Sequence, residues 1–229
     1  TEGTGMAELC VRSVLQHFGR EGMGAKVVTR SQIPISKGLK SSSCAANAII
    51  KATLKALGED MPVLQAVKMG CECAKQAGVS VTGAFDDACA SMLGGVVLTD
   101  NLRYQLIERE RMDDSLAVLI HVPDYQIRKG TLPLERIRAQ ADLVGLAYIL
   151  ASRGQYRTAM KLNGIIYASV LGVDPAVMHE AMAKGAVAAG LSGTGPATVI
   201  LAPRETAESL KSSLSVAKDI MITDIFNCD

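Results

Sequence analysis

The chain has 229 residues, enough for one large domain or two small ones around a real core. Hydrophobic residues make up 48%, so burial offsets chain entropy and a disordered chain is excluded. Aromatics are 3% with no Trp, and 24 basic residues against 23 acidic leave a net charge of +1, which speaks against base stacking, a nucleic-acid counterion surface and a polybasic membrane anchor.

Ala7 to Phe18 has helical spacing (Leu9, Val11, Val14, Leu15, Phe18) and stops at Gly19. Ala25 to Ile33 reads as a strand. Ser43 to Leu57 is expected as a helix with Ala45, Ala48, Ile49, Ala52 and Ala56 on one stripe and Gly58 as its stop. Pro62 to Gln76 is a further helix with Pro in its first turn. A glycine turn at Gly83 leads into a short helix that ends at Gly94-Gly95. Val96 to Thr99, Tyr104 to Arg109 and Leu116 to Val122 are strand-like. Three helices follow, Pro133 to Arg153, Gln155 to Leu171 and Pro175 to Lys184. Gly185 to Pro203 is long enough for a membrane span, but its glycines, proline and hydroxyl residues make it a helix end, a glycine loop and a strand at Thr198 to Leu201. A helix at Pro203 to Leu214 and a strand near Asp219 to Thr223 complete the order. Strands and helices do not alternate regularly, so the fold class is α+β, with a boundary near residue 112.

Six cysteines show no CxxC pair and no zinc-like grouping with the three histidines. They read as buried thiols of a cytoplasmic protein. Nothing at the N-terminus resembles a signal peptide. The expected partner is a small molecule or a second copy of the chain, with no nucleic acid and no membrane; a homodimer is left open.

Three stretches carry chemistry. Pro34 to Cys44 puts Gly38 and Ser41, Ser42 and Ser43 ahead of a helix. Unpaired N–H groups there suit phosphate oxygens, and the hydroxyls suit phosphate or Mg²⁺. The alternative is an ordinary helix capped by serine. Asp86-Asp87 after the glycine turn can take a proton from a hydroxyl or bind a cation. Otherwise one aspartate caps the helix and the other faces water. Gly190-Leu191-Ser192-Gly193-Thr194-Gly195 is either a backbone nest for an anion or a tight connection.

In this order the three stretches resemble the GHMP family of small-molecule kinases. "SVTGAFDDACAS", "LNGIIYAS" and "AAGLSGTGPA" look most like its archaeal-type shikimate kinase branch. The resemblance implies a part like domain 2 of ribosomal protein S5 over residues 1–112 and a ferredoxin-like part over 113–229. It implies transfer of the γ-phosphoryl of ATP to the 3-hydroxyl of shikimate, on the route to chorismate and aromatic amino acids. A kinase acting on another alcohol such as homoserine, and a non-catalytic nucleotide or metabolite binder, are the alternatives. Under the resemblance, Pro34, Ile35, Ser36, Lys37, Gly38, Leu39, Lys40, Ser41, Ser42, Ser43 and Cys44 form the ATP-phosphate loop, with Ser42 or Ser43 as a Mg²⁺ ligand. Asp86 is the favoured acid–base group and Asp87 the other candidate. Thr82 and Gly190 to Gly195 would close on substrate and phosphate. Lys37, Lys40, Arg128, Lys129 and Lys161 are candidates for the shikimate carboxylate, and Glu72 for helping to hold Mg²⁺. The family pattern also implies strands ahead of Thr1 that complete the N-terminal sheet.

Overall fold

A computed structural model describes residues 4–80, 82–127 and 132–228. Its contacts divide the chain into two compact units, the first made of residues 1–33, 40–112 and 226–229 and the second of 34–39 and 113–225. No helix among the described residues is long and apolar enough to cross a membrane.

The first unit contains α1 (Thr4–His17), α2 (Ser41–Leu57), α3 (Val63–Gln76), α4 (Phe85–Leu93) and the strands β1 (Val96–Asp100) and β2 (Gln105–Glu110). The apolar stripes of α1, α2 and α3 meet at Cys10, Val14, Ile50, Leu54 and Ala74. A second cluster, Val67, Cys71, Phe85, Ala88 and Cys89, seats α4 on α3. Phe85 is fully buried, a side chain whose burial contributes roughly 1.5–3 kcal/mol. Cys71 and Cys73 diverge on α3 into the two different clusters. Helix α2 ends where Gly58 adopts φ 69, and its N–H with that of Glu59 closes on Lys55 and Leu54 carbonyls. Strands β1 and β2 pair antiparallel, and the Gly95 N–H donates to the Phe226 carbonyl at 2.7 Å.

The expected strand over Ala25 to Ile33 does not form. Residues 19–32 are exposed and form no ladder, with Val28 71% exposed. β-branched residues favour extended backbone, but a strand is stabilised by cross-strand pairs, and among the described residues none is supplied here.

The second unit is built on β3 (Leu116–His121), followed by α5 (Leu134–Arg138), α6 (Ala141–Ala151), α7 (Tyr156–Leu171) and α8 (Ala176–Ala183). Then come β4 (Ala188–Leu191), β5 (Thr198–Pro203), a 3-10 turn at Arg204–Thr206, α9 (Ala207–Ser213) and β6 (Ile220–Asp224). The sheet order is β4-β5-β3-β6, every neighbour antiparallel. A strand, helices, a strand pair, a helix and a last strand beside the first make the ferredoxin-like split βαβ arrangement. Its core joins Leu119 and Ile200 of the sheet to Ala168, Met178 and Ala181 of the helices and Leu210 of α9.

Two expectations in this unit are corrected. The helix expected over Pro133 to Arg153 is two helices, interrupted at Ala139 and Gln140. The glycine run was read without a strand before it, yet Ala188–Leu191 is β4, fully buried along its length. Helix α7 lies so close to β4 that a Cβ on Gly164 would sit 2.6 Å from the Gly190 Cα. That contact explains the glycine in "LNGIIYAS".

Candidate active site

In the first unit the candidate residues lie where α2 and α4 begin. Helix α2 starts at Ser41, and its N-cap residue is Lys40, in the left-handed region at φ 63 with no side-chain cap. The serines therefore stand inside the first turn rather than capping it, Ser43 buried and Ser41 and Ser42 partly exposed. First-turn amides have no acceptor within their helix, and here no side chain of the N-cap residue supplies one.

Lys40 reaches the other helix start. Its Nζ is 2.6 Å from Asp87 Oδ1, with the two side chains 32% and 16% exposed. Ala84, the N-cap residue of α4, is also left-handed, at φ 51. This places Asp86 and Asp87 in the first turn, where the helix dipole favours negative charge. Asp86 has a different neighbour. Its N–H donates to Asn101 Oδ1 at 2.9 Å, and its Oδ1 accepts from Asn101 Nδ2 at 2.9 Å. Thr99 Oγ1 donates to the same Asn101 Oδ1 at 2.9 Å.

Gly83, at φ 84, leaves no room for a side chain, since a Cβ would meet the Tyr104 hydroxyl at 2.5 Å. Tyr104 donates to the Thr82 carbonyl at 3.3 Å and stacks on Phe85 with ring centroids 5.4 Å apart. Burial pushes the Tyr104 phenol up, which keeps it a donor. Thr82 is exposed, and its hydroxyl accepts from the Ala84 N–H at 3.2 Å. Asn47 of α2 donates to the Ala88 carbonyl at 2.9 Å and to Ser91 at 2.6 Å, tying α2 to α4. Cys44 is held above its ordinary value chiefly by burial, so it remains a neutral thiol.

In the second unit, residues 34–39 lie against the glycine loop that follows β4. Ser192 Oγ donates to the Gly38 carbonyl at 2.9 Å, and the Ala197 N–H donates to the Lys37 carbonyl at 3.0 Å. A Cβ on Gly38, at φ 82, would lie 2.3 Å from the Ser192 carbonyl oxygen. Lys37 Nζ donates to the Pro123 carbonyl and, at 2.9 Å, to that of Tyr125. Gly190 and Leu191 end β4, whereas Ser192, Gly193, Thr194 and Gly195 form the loop proper. Ile35 is 64% exposed, and Ser36 is left-handed at φ 59.

The expected phosphate loop is thus shared out: Pro34, Ile35, Ser36, Lys37, Gly38 and Leu39 belong to the second unit and Lys40 to Cys44 to the first. Thr82 falls in the first unit and Gly190 to Gly195 in the second. Of the candidate cations, Lys37 is engaged by carbonyls and Lys40 by Asp87. Lys161 lies on α7, and Arg128 and Lys129 fall outside the described residues. Glu72 is half exposed and 3.7 Å from Lys75. Asn101 and Thr99 were missed in the sequence. A lone Asn after a strand carries no signal that it meets a carboxylate on the preceding helix.

Among the described residues, no group of three or more His, Cys, Asp or Glu side chains is placed to hold a metal ion. Mg²⁺ nevertheless fits the donors at the start of α2, because it takes few protein oxygens and completes its shell with phosphate and water. The serine hydroxyls and the neighbouring Asp87 are oxygen donors of that kind.

The family model for the GHMP kinases N terminal domain matches residues 6–95. A shikimate kinase of Methanosarcina acetivorans is 45% identical over 229 residues, covering 99% of this chain and 77% of its own. A shikimate kinase of Methanococcoides burtonii is 48% identical over 207 residues, covering 90% of this chain and 71% of its own. Among solved structures, the mevalonate kinase of Methanococcus jannaschii superposes with a TM-score of 0.72 at 16% identity, covering 97% of this chain and 75% of that one. That last likeness speaks to the fold alone, but identity near one half across nearly the whole chain speaks to descent: this chain belongs to the GHMP kinase family.

Proposed function

We propose that the protein is a shikimate kinase, an ATP-dependent small-molecule kinase that transfers the γ-phosphoryl group of ATP to the 3-hydroxyl of shikimate in aromatic amino acid biosynthesis. Its relatives named shikimate kinase support the substrate. The observation that carries the chemistry is the start of α2, a first turn with three serines and no side-chain cap from the N-cap residue. Amides left without a cap are donors for phosphate oxygens, so the phosphate-binding reading of Pro34 to Cys44 gains over the capped-helix one.

In the proposed reaction, the first-turn amides and the hydroxyls of Ser41, Ser42 and Ser43 hold the phosphates of ATP. Ser42 or Ser43 would hold Mg²⁺, which would neutralise charge on the phosphate oxygens when bound. Asp86 is the acid–base group. It accepts the proton of the 3-hydroxyl as that oxygen bonds to the γ-phosphorus, while the bond from the γ-phosphorus to the bridging oxygen breaks and ADP leaves. The pairing of Asp87 with Lys40 supports this division, because Asp87 already balances a cation. Phosphoryl transfer is largely loose, so positioning contributes more than proton removal. The loop from Ser192 to Gly195 is proposed to close on substrate and phosphate. Residues 1–112 are assigned as the ATP-binding domain and 113–229 as the C-terminal domain, in a protein of the cytoplasm.

ADP release with shikimate, homoserine and mevalonate tests the reading. Shikimate is expected to support turnover at least about tenfold above the others, a preference of roughly 1.4 kcal/mol in the transition state. Turnover with homoserine and none with shikimate would overturn it.

A further inference from the structure

We propose that Asn101 is the positioning residue for the acid–base carboxylate: it commits one oxygen of Asp86 and leaves the other to take the proton. The inference rests on the reading of Asp86 as acid–base group. Its geometry begins with a backbone amide. The Asp86 N–H can only donate, so the Asn101 atom 2.9 Å from it must be the carbonyl oxygen. The side-chain amide is planar, which turns Nδ2 toward the Asp86 carboxylate, where it donates to Oδ1 at 2.9 Å. Thr99 Oγ1 donates to the same carbonyl oxygen at 2.9 Å.

The loop that carries Asn101 is fixed in turn. Asp100 Oδ1 accepts the N–H groups of Leu102 and Arg103, both at 3.0 Å, and makes a tight turn immediately after β1. β1 itself follows α4 through Gly94 and Gly95. The chain thus brings Asn101 back to the start of the helix it has just left. An unrestrained Asp at this position would sample several rotamers. Two contacts from one planar group restrict it to one, which is what a transfer dependent on positioning requires.

Asn101 makes two separable contacts with Asp86. Its oxygen supplies an acceptor to a first-turn amide of α4, a helix whose N-cap residue, Ala84, makes no side-chain cap. Its Nδ2 holds the carboxylate. Asn101→Asp keeps the acceptor and puts a carboxylate oxygen in place of the donor, facing Asp86 Oδ1, whereas Asn101→Ala removes both. The test combines these variants with Asp86→Asn and with the double variant Asn101→Asp/Asp86→Asn. Steady-state kinetics, thermal melts and a crystal structure of Asn101→Ala are the readouts.

Asn101→Asp is expected to melt below the wild type, because a second carboxylate then faces Asp86, and to lose about 10²-fold in kcat with both KM values kept within about twofold. Added to Asp86→Asn, it should cost nothing further, since it acts through Asp86. Asn101→Ala should lose both stability and kcat, and its Asp86 carboxylate should leave the position seen here. Wild-type kcat in Asn101→Asp, an additive loss in the double variant, or an unmoved carboxylate in Asn101→Ala would each overturn the inference while leaving Asp86 as acid–base group. Undiminished turnover in Asp86→Asn would instead overturn the reading of Asp86, and the inference with it.

Discussion

Two adjacent carboxylates in one helical turn end up with different partners, and the difference comes from two single residues. Lys40 faces Asp87, and Asn101 faces Asp86. The sequence made the aspartate pair legible, because two acids after a glycine turn are unusual. It could not separate them, since the partners arrive from 47 residues before Asp87 and 15 residues after Asp86. Gly38 was read as part of a phosphate loop, and the structure sets it against the backbone of Ser192 and Gly195. Gly38→Ala is expected to destabilise the protein by about 1–3 kcal/mol in urea melts, because both the left-handed φ and the Ser192 carbonyl oppose a Cβ.

Glu180, by contrast, carried no sequence signal, yet it accepts from Lys184, from the Ser215 hydroxyl and N–H, and from the Val216 N–H. These bonds, that to Lys184 foremost, hold its carboxyl below the ordinary 4.5, at about 2. A depressed carboxyl contributes stability that is present above its unfolded value and lost as pH falls through its folded one. Thermal melts of wild type and Glu180→Gln should therefore differ most at neutral pH. The difference should shrink from about 4.5 downward and vanish below about 2.

At the scale of elements, the long periodic helices were legible, and their starts were not. Helix α2 begins two residues earlier than expected because Lys40, not a serine, makes the turn into it. β4 was missed because "AAGL" has no β-branched residue; its strand character comes from pairing with β5. The reverse error, at residues 25–33, has the same cause, since propensity without a partner strand does not make a ladder. The close packing of α7 on β4 gives a sharp test. Gly164→Ala gains roughly 1 kcal/mol of helix propensity. Its Cβ would lie 2.6 Å from a backbone Cα and 3.0 Å from the Leu191 N, neither of which can turn aside as a side chain would. Overpacking should win, with a net loss of about 1–2 kcal/mol in urea unfolding. A stabilised variant would contradict the contact between α7 and β4.

Across the whole molecule, the order of the three motifs was more informative than any one of them. Each had a bland alternative that local sequence left standing. Together they pointed to the GHMP kinases, and the kinship with shikimate kinases over nearly the full chain agrees. Charge balance and the shortage of aromatics narrowed the expected partner to a small molecule or a second copy of the chain before any motif was considered. The substrate is the central claim, and phosphorus NMR of the product tests it most directly. With ATP, Mg²⁺ and shikimate, a phosphomonoester resonance coupled to the ring proton at C3 should grow in step with ADP. Inorganic phosphate alone, or a phosphomonoester that forms only when another alcohol replaces shikimate, would contradict the account.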